Sequence, residues 1–261
     1  MDRSDPRVTG VLADLARGLR ALDVDFCLIG ALVPEFLLDV PPRRMTKDAD
    51  VTVLVHTLAD FEQVKRGLAQ FGFAPTRLPY RLTHRDGGWV DLLPYSKALA
   101  PSGHLEMSPG LTFNMAGFDE LAPSAIPVSV APGLTLPAAP LPLYVLLKLV
   151  AYADRKEPKD LGSVLHCLRH YREDDDIRYG LEHDGKLVPY EYTGADLLGL
   201  DGRRFIDSVA GSVRPVLDKL DSPDATIVGI VAHEDGRALV EDEHRLEIFE
   251  LFRWFRWAAG V

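Results

Sequence analysis

Residues 43–55 of the chain read RRMTKDADVTVLV, and the last five of them, VTVLV, are a run of strongly β-forming residues. Asp48 and Asp50 stand at the start of this predicted strand. Side chains two positions apart in a strand project from the same face, so the two carboxylates lie side by side and Ala49 turns inward. Adjacent carboxylates repel each other unless a cation lies between them, and a divalent ion bound through oxygen supplies that charge. The stretch therefore predicts a strand that begins at a metal site.

A third carboxylate, Asp91, comes from the second arm of a predicted hairpin. Residues 74–85 and 89–96 flank the sequence Asp-Gly-Gly, which is a strong hairpin-turn signal. We expect the strand with Asp91 to pair with the strand that carries Asp48 and Asp50. Three carboxylates that converge from neighbouring strands would bind one or two Mg²⁺ ions, or Mn²⁺ in their place. Such a site suits in-line phosphoryl or nucleotidyl transfer, in which the metal ions hold the attacking and leaving oxygens.

The segment upstream predicts a turn that binds phosphate. Residues 24–30 (VDFCLIG) predict a buried strand that ends at Gly30, and residues 31–40 predict a short helix. Pro34 would lie near the first turn of this helix, where proline is tolerated. The backbone N–H groups of Gly30 and Ala31 can bind phosphate oxygens at such a turn, because glycine lets a phosphate approach closely.

The remaining pattern divides the chain into a mixed α/β part and a helical part. Residues 11–24 predict an amphipathic helix, and residues 57–72 predict another with Thr57 as its N-cap and Gly72 at its end. Residues 100–140 predict a further hairpin or an ornament on the sheet. The helices predicted beyond this point span residues 141–156, 158–172, 202–220 and 241–259. We therefore expect an α+β fold with one domain at 1–139 and a helical domain at 140–261.

Composition excludes some classes of function. The 261 residues carry a net charge of −10, and a protein that wraps nucleic acid usually has a basic excess, so a general DNA or RNA binder is not expected. No uncharged apolar run approaches the roughly 20 residues that span a bilayer, and no signal peptide is recognisable. Cys27 and Cys167 both lie in apolar stretches, which predicts free thiols and a cytoplasmic protein.

Two motifs resemble a known family. The stretch IGALVPEFLL…PPRRMTKDADVTV is similar to the signature of the DNA polymerase β-like nucleotidyltransferase superfamily. Asp91 matches the third Asp of that signature. The version R-x-T-K-D-x-D resembles the AbiEii toxin branch of that superfamily. A second segment, LLKLVAYADRKEPKDLGSVL at 146–165, resembles the K-L-x-A-x-x-x-R-x-x-x-K-D motif of the same branch. Its matching residues are Lys148, Leu149, Ala151, Arg155, Lys159 and Asp160.

The resemblance implies a small mixed β-sheet nucleotidyltransferase core flanked by helices and followed by a mainly helical C-terminal part. It implies Mg²⁺-dependent transfer of a nucleoside monophosphate from a nucleoside triphosphate to a hydroxyl of a tRNA, a protein or a small molecule. It also implies that Asp48, Asp50 and Asp91 are the catalytic metal ligands, and that an antitoxin protein is a partner. The nucleotide- and phosphate-binding residues that it implies are Gly30, Ala31, Arg44, Thr46, Lys47, Lys148, Arg155, Lys159 and Asp160.

Several alternatives stay open at this stage. Ala31 stands where family members carry Gly or Ser, and Ser163 stands where the branch usually has an acid, which motivates a catalytically weak nucleotide-binding or partner-binding protein that keeps the fold. An antibiotic-modifying nucleotidyltransferase is a further alternative. The aspartates could simply be polar residues at the starts of strands, and the Lys and Arg residues of the phosphate-binding set could be solvated surface charges. A continuous helix would align Lys148, Arg155 and Lys159 on one stripe, but Pro158 favours the start of a second helix.

Overall fold

The structure is a computed structural model, which describes residues 6–42, 48–236 and 242–261. The chain forms two compact units. The first comprises residues 6–37 with 48–140, and the second comprises 38–42 with 141–236 and 242–261. The prediction that the chain folds as two independent domains with a boundary at residue 140 stays a prediction.

The first unit is built on a seven-stranded mixed sheet with the strand order β3-β4-β5-β2-β1-β9-β8. Two neighbouring pairs, β2 with β5 and β1 with β9, are parallel, and the other pairs are antiparallel. The strands of this sheet are β1 (Phe26–Leu28), β2 (Asp48–Leu54), β3 (Phe73–Pro75), β4 (Arg81–His84), β5 (Trp89–Tyr95), β8 (Ile126–Ala131) and β9 (Leu134–Ala138).

Helices flank this sheet, and they begin and end where local signals predict. Thr57 caps α3 through a capping box in which Asp60 N–H donates to the Thr57 hydroxyl and the Asp60 carboxylate accepts from Thr57 N–H. Gly72 ends the helical segment with a φ of 93°, a conformation that favours glycine. The described helices of this unit are α1 (Pro6–Ala21), α2 (Leu32–Leu37), α3 (Leu58–Leu68) and α4 (Leu121–Ser124).

Residues 100–140 contain two hairpins rather than one. The first, β6 (His104–Ser108) with β7 (Leu111–Asn114), forms a separate two-stranded sheet. The second, β8 with β9, joins the main sheet, where Ala138 of β9 pairs in parallel with Leu28 of β1. The expectation of an ornament therefore holds for the first hairpin only, because the second contributes two strands to the core sheet.

The second unit is mainly helical. The helices predicted from periodicity are present, and Pro158 begins a new helix, as expected. The sequence did not predict the helix α8 (Thr193–Gly202), because it is buried over most of its surface and shows no amphipathic period. It packs closely against α11 (Asp242–Ala259): at Gly199 an added Cβ would lie 2.5 Å from the carbonyl oxygen of Phe255. The described elements of this unit are α5 (Leu141–Arg155), α6 (Pro158–His170), α7 (Asp175–Arg178), β10 (Glu182–His183), β11 (Lys186–Leu187), α8 (Thr193–Gly202), α9 (Ile206–Leu217), α10 (Thr226–Glu234) and α11 (Asp242–Ala259).

These elements confirm the predicted fold class, a mixed sheet flanked by helices and followed by a mainly helical part. None of the helices in the described ranges combines the length and the apolar character that crossing a membrane requires.

Candidate active site

The strand pairing brings the predicted carboxylates to one face of the sheet. β2 and β5 run parallel, with Asp50 opposite Asp91 and Asp48 opposite Trp89. Register partners on adjacent strands share a face, and Asp48 shares that face with Asp50 because it lies two residues away. Both carboxylates of β2 are half-buried, whereas Ala49 between them is 2% exposed and points into the core.

Gly30 lies directly against the Asp50 side chain. The N–H of Ile29 donates to the Asp50 carbonyl oxygen at 2.9 Å, which holds the end of β1 beside the start of β2. A Cβ added at Gly30 would lie 1.7 Å from Oδ2 and 2.5 Å from Cβ of Asp50. No side chain fits at this position, since the Cβ of Asp50 is fixed by its own backbone. Glycine is therefore required here by the room that the Asp50 carboxylate occupies.

Replacing Gly30 by alanine is expected to lower the free energy of unfolding by about 2 kcal/mol, because the overlap forces the two strand ends apart. Urea denaturation measures this change. Gly10→Ala on α1 is the matched control, since an added Cβ at Gly10 meets no atom within 4 Å. Alanine there is expected to stabilise the helix, by up to about 1 kcal/mol. Equal stability of Gly30→Ala and the wild type would contradict the close contact.

Gly30 and Ala31 lead from β1 into α2. Gly30 is buried, Ala31 is half-buried, and the N–H of Val33 donates to the Gly30 carbonyl oxygen at 3.0 Å. The turn between strand and helix is thus where the sequence predicts it. Phosphate binding by the two residues stays a prediction.

Arg81 is the residue at this face that the sequence reasoning missed. It lies opposite Asp91 in the β4–β5 hairpin, and its Nε and Nη2 donate to the two carboxylate oxygens of Asp91 at 2.6 and 2.7 Å. The hydrogen bonds from Arg81 to Asp91, followed by the charges of Asp91 and Asp48, raise the pKa of Arg81 despite the opposing effect of burial. A signal was available, because the Asp-Gly-Gly turn sets the hairpin register and an opposite-charge pair is a common cross-strand partner.

The three carboxylates share a face, but their oxygens do not converge as a compact cluster. Within the described ranges, the group of three ligating side chains whose atoms lie within 4.8 Å of one another is a different one, Asp14 with His84 and Asp86. The Asp91 carboxylate is oriented by Arg81 instead. Even so, the donor chemistry suits a divalent ion, because Asp48 and Asp50 supply the oxygen donors that Mg²⁺ prefers and the guanidinium of Arg81 is bound to a carboxylate on the same face.

The group around Asp14 is a structural network. His84 Nε2 lies 3.2 Å from an Asp14 oxygen, Arg85 donates to the same oxygen at 3.2 Å, and Arg17 pairs with the other oxygen. The N–H of Asp86 donates to Nδ1 of His84 at 3.3 Å, which leaves both ring nitrogens engaged. Two arginines already neutralise Asp14, so this cluster stabilises the contact between α1 and β4 rather than offering a metal site.

Arg44, Thr46 and Lys47, which the sequence places in the phosphate-binding set, lie outside the described residues.

In the second unit, Asp160 at the start of α6 forms ion pairs with two of the cations that the sequence predicts to bind phosphate. Its side chain is 0% exposed, and Arg155 donates to both of its oxygens, at 2.7 Å from Nε and 2.6 Å from Nη2. Lys148 donates to it at 3.2 Å. Burial alone would raise the pKa of Asp160, but the hydrogen bonds and charges of Arg155 and Lys148 outweigh it and lower the pKa.

This geometry bears on two of the predicted binding residues. Asp160 is bonded to Lys148 and Arg155 and so orients both cations, and its own nucleotide-binding role stays a prediction. Lys159 does not continue their stripe, because α5 ends at Arg155 and α6 begins at Pro158. Lys159 is exposed. The nucleotide-binding roles of the three cations stay predictions.

No protein-family model and no curated protein matches the chain. Among solved structures, the chain is similar to an antigenic nucleotidyltransferase-like protein from Paracoccidioides brasiliensis, with a TM-score of 0.45 and 15% identity over 80% of this chain and 94% of that one. It is also similar to the CdnE cyclic dinucleotide synthase of Elizabethkingia meningoseptica, solved with GTP and Apcpp, with a TM-score of 0.31 and 13% identity over 98% and 93% of the two chains. Similarity at this level assigns no activity to this chain, and membership of the AbiEii-like branch stays a prediction.

Proposed function

We propose that this chain is a metal-dependent nucleotidyltransferase that moves a nucleoside monophosphate from a nucleoside triphosphate to an acceptor hydroxyl. The observation that carries the proposal is the parallel pairing of β2 and β5, which sets Asp50 opposite Asp91 with Asp48 beside them. The contact between Gly30 and Asp50 adds to it, because the only residue type without a side chain stands next to the central carboxylate. Carboxylates grouped in this way suit divalent ions that bind phosphate.

Each residue has a distinct task in this proposal. Asp48 and Asp50 would hold Mg²⁺ or Mn²⁺, which would supply the positive charge that neutralises a triphosphate. The N–H groups of Gly30 and Ala31 bind phosphate oxygens. Asp91 receives the proton of the acceptor hydroxyl, whose oxygen forms the new bond to the α-phosphorus. The bond from the α-phosphorus to the bridging oxygen breaks, and pyrophosphate leaves with the electron pair. Positioning and charge neutralisation lower the barrier of such a reaction.

The acceptor is a hydroxyl of a tRNA, a protein or a small molecule, and the net charge of −10 gives RNA no preference over the other two. A role as the toxin of a toxin–antitoxin pair, with an antitoxin protein as partner, follows from the resemblance to the AbiEii branch. The cytoplasm is the proposed compartment.

Incubating the protein with nucleoside triphosphates labelled at the α-phosphorus, Mg²⁺ or Mn²⁺ and a cell extract tests the proposal. We expect label to enter one class of acceptor, and we expect a chelator to abolish the transfer. Sensitivity of the labelled product to nuclease or to protease then separates RNA from protein. Transfer to an aminoglycoside instead would identify an antibiotic-modifying enzyme. Absence of transfer under all conditions would refute the proposed activity.

A second candidate is a nucleotide-binding or partner-binding protein with weak catalysis. The pairing of Arg81 with both oxygens of Asp91 favours it, since a carboxylate held in this way is a poor metal ligand and a poor base. Ala31, which lacks a hydroxyl for phosphate, points in the same direction. Nucleotide binding without transfer would support this candidate.

A further inference from the structure

Four large hydrophobic side chains of the second unit project into solvent from one short segment. They are half of the eight such side chains that the described residues expose, although residues 177–190 are a small part of the chain. Tyr179 and Leu187 are the most exposed of the eight, at 73% and 65%. Single hydrophobic residues are normal on a protein surface, but a group of them bordered by polar residues is typical of an interaction site. This exposed patch consists of Ile177, Tyr179, Leu187 and Tyr190.

The small hairpin of β10 and β11 carries the patch together with the helix that leads into it. Within the hairpin, Glu182 lies opposite Leu187. The segments that flank the hairpin stay side by side, because the rings of Tyr179 and Tyr190 contact each other with centroids 5.0 Å apart. Ile177 lies two residues before Tyr179, in α7. The four side chains therefore belong to one local element of the second unit.

Buried polar groups anchor the backbone beneath the patch. Arg178 is buried and donates hydrogen bonds to three backbone carbonyl oxygens within residues 169–172, at 2.8 to 3.0 Å. His183 is also buried, and its Nδ1 lies 2.7 Å from a carboxylate oxygen of the buried Asp196 on α8. A surface that is ordered before it meets a partner loses little conformational entropy on binding.

Acidic side chains border the patch. Residues 173–191 contain seven acidic and two basic residues, which gives a formal net charge of −5, half of the −10 that the whole chain carries. All seven acids are exposed. Glu182 is the cross-strand neighbour of Leu187, and the hydroxyl of Tyr190 donates to Asp175. The seven acids are Glu173, Asp174, Asp175, Asp176, Glu182, Asp184 and Glu191.

We propose that the exposed patch is the docking site of a second protein, through a segment of that protein that carries Lys or Arg together with Leu or aromatic side chains. The apolar side chains of the partner pack on Tyr179 and Leu187, in the way that aromatic residues form the centres of protein interfaces. Its basic side chains pair with the bordering acids, which also steer the encounter. The inference goes beyond the proposed nucleotidyl transfer and does not depend on it.

The charge of the patch argues against the other occupants. A second copy of this chain, bound through an isologous interface, would place the same acids against one another. The phosphates of a nucleic acid or of an anionic lipid surface would meet the same repulsion. A basic protein segment is the occupant that the apolar and the acidic side chains both favour.

Fluorescence anisotropy of a short labelled peptide, made of Lys and Leu at helical spacing, tests the inference on the complete chain. We expect saturable binding of this peptide and no binding of a matched peptide with Glu in place of Lys. The double substitution Tyr179→Ser with Leu187→Ser is expected to weaken binding by at least about 10-fold, because two large hydrophobic contacts are lost. Leu78→Ser, the same change at an exposed leucine of the first unit, is the matched control and should bind as the wild type.

A second pair of variants tests the role of the acids. Asp176→Asn with Glu182→Gln removes two of the bordering charges and keeps the shape of both side chains. We expect binding about 2- to 10-fold weaker than that of the wild type, as for the loss of exposed ion pairs, and the difference should shrink with added salt. Asp154→Asn, at an exposed position of α5, is the charge control and should leave the affinity unchanged.

Cooperative unfolding in urea checks that the variants are folded, and Leu187→Ser alone replaces the double substitution if that variant is not. Equal affinity of the wild type and the variant without Leu187 would overturn the inference, as would absence of peptide binding by the wild type. A concentration-dependent dimer of the wild type that the same substitution abolishes would overturn it in favour of a second copy. Binding of anionic phospholipid vesicles that depends on Leu187 would overturn it in favour of a membrane.

Discussion

The double substitution Asp48→Asn with Asp50→Asn is expected to reduce nucleotidyl transfer by about 10³-fold or more, because metal-ion stabilisation of the transition state amounts to several kcal/mol. Asparagine has the shape of aspartate and only one carbonyl oxygen as a donor to the ion. Label transfer from a nucleoside triphosphate measures the loss, and Mn²⁺ binding measured on the same samples should disappear with it.

A measurement of stability distinguishes the loss of nucleotidyl transfer from unfolding of the variant. The double variant is expected to remain folded, because asparagine fits the space of aspartate, and cooperative unfolding in urea checks this. Glu106→Gln, which removes an exposed charge from β6, is the matched control and should retain full transfer. Transfer by the double variant at the wild-type rate would show that the acceptor chemistry does not depend on these carboxylates.

The largest effect on stability is expected at Asp160. Asp160→Ala leaves Lys148 and Arg155 without their shared carboxylate and is expected to lower the free energy of unfolding by about 3 kcal/mol, the lower end of the range for a broken buried pair, since Arg155 is half-exposed. Urea denaturation followed by tryptophan fluorescence, to which Trp254 and Trp257 of α11 in the same unit contribute, measures the change.

The effect of Asp160 also has a pH dependence of known sign. Its pKa in the folded protein lies below the ordinary value of 3.8, so the stabilisation is complete above 3.8 and is lost as the pH falls through the lowered pKa. The stability difference between wild type and Asp160→Ala should therefore be constant near neutral pH and should shrink in acid. Asp154→Asn, at an exposed position of α5, is the control and should change stability little. A difference that grows in acid would contradict the ion-pair account.

Much of the fold follows from local patterns. Thr57 begins α3 because a hydroxyl can cap free N–H groups, and Gly72 ends the 3-10 turn at Ala69–Phe71 that follows α3 because glycine tolerates the left-handed conformation. The Asp-Gly-Gly turn predicts the hairpin of β4 and β5, where Gly87 and Gly88 have φ values of 90° and 83°. Local sterics and hydrogen bonding determine these features, so a single sequence contains them.

The elements that were missed or misread lack such local signals. α8 is buried over most of its surface because α5, α6 and α11 all pack against it, so it lacks the amphipathic period that identifies a helix. The hairpin of β8 and β9 resembles an ornament in sequence, and only its pairing with β1 makes it part of the core sheet.

The sequence by itself determined that two carboxylates share one face of a strand, that a glycine turn precedes them and that a third carboxylate lies on a hairpin. The tertiary structure alone decided that Asp91 faces Asp50, that Gly30 touches the Asp50 side chain, and that Asp160 lies buried between two cations. The physical reason is the range of the interactions. Strand and turn geometry depend on neighbours in the chain, whereas strand order and the pairing of buried charges depend on contacts between segments far apart in sequence, which no local pattern encodes.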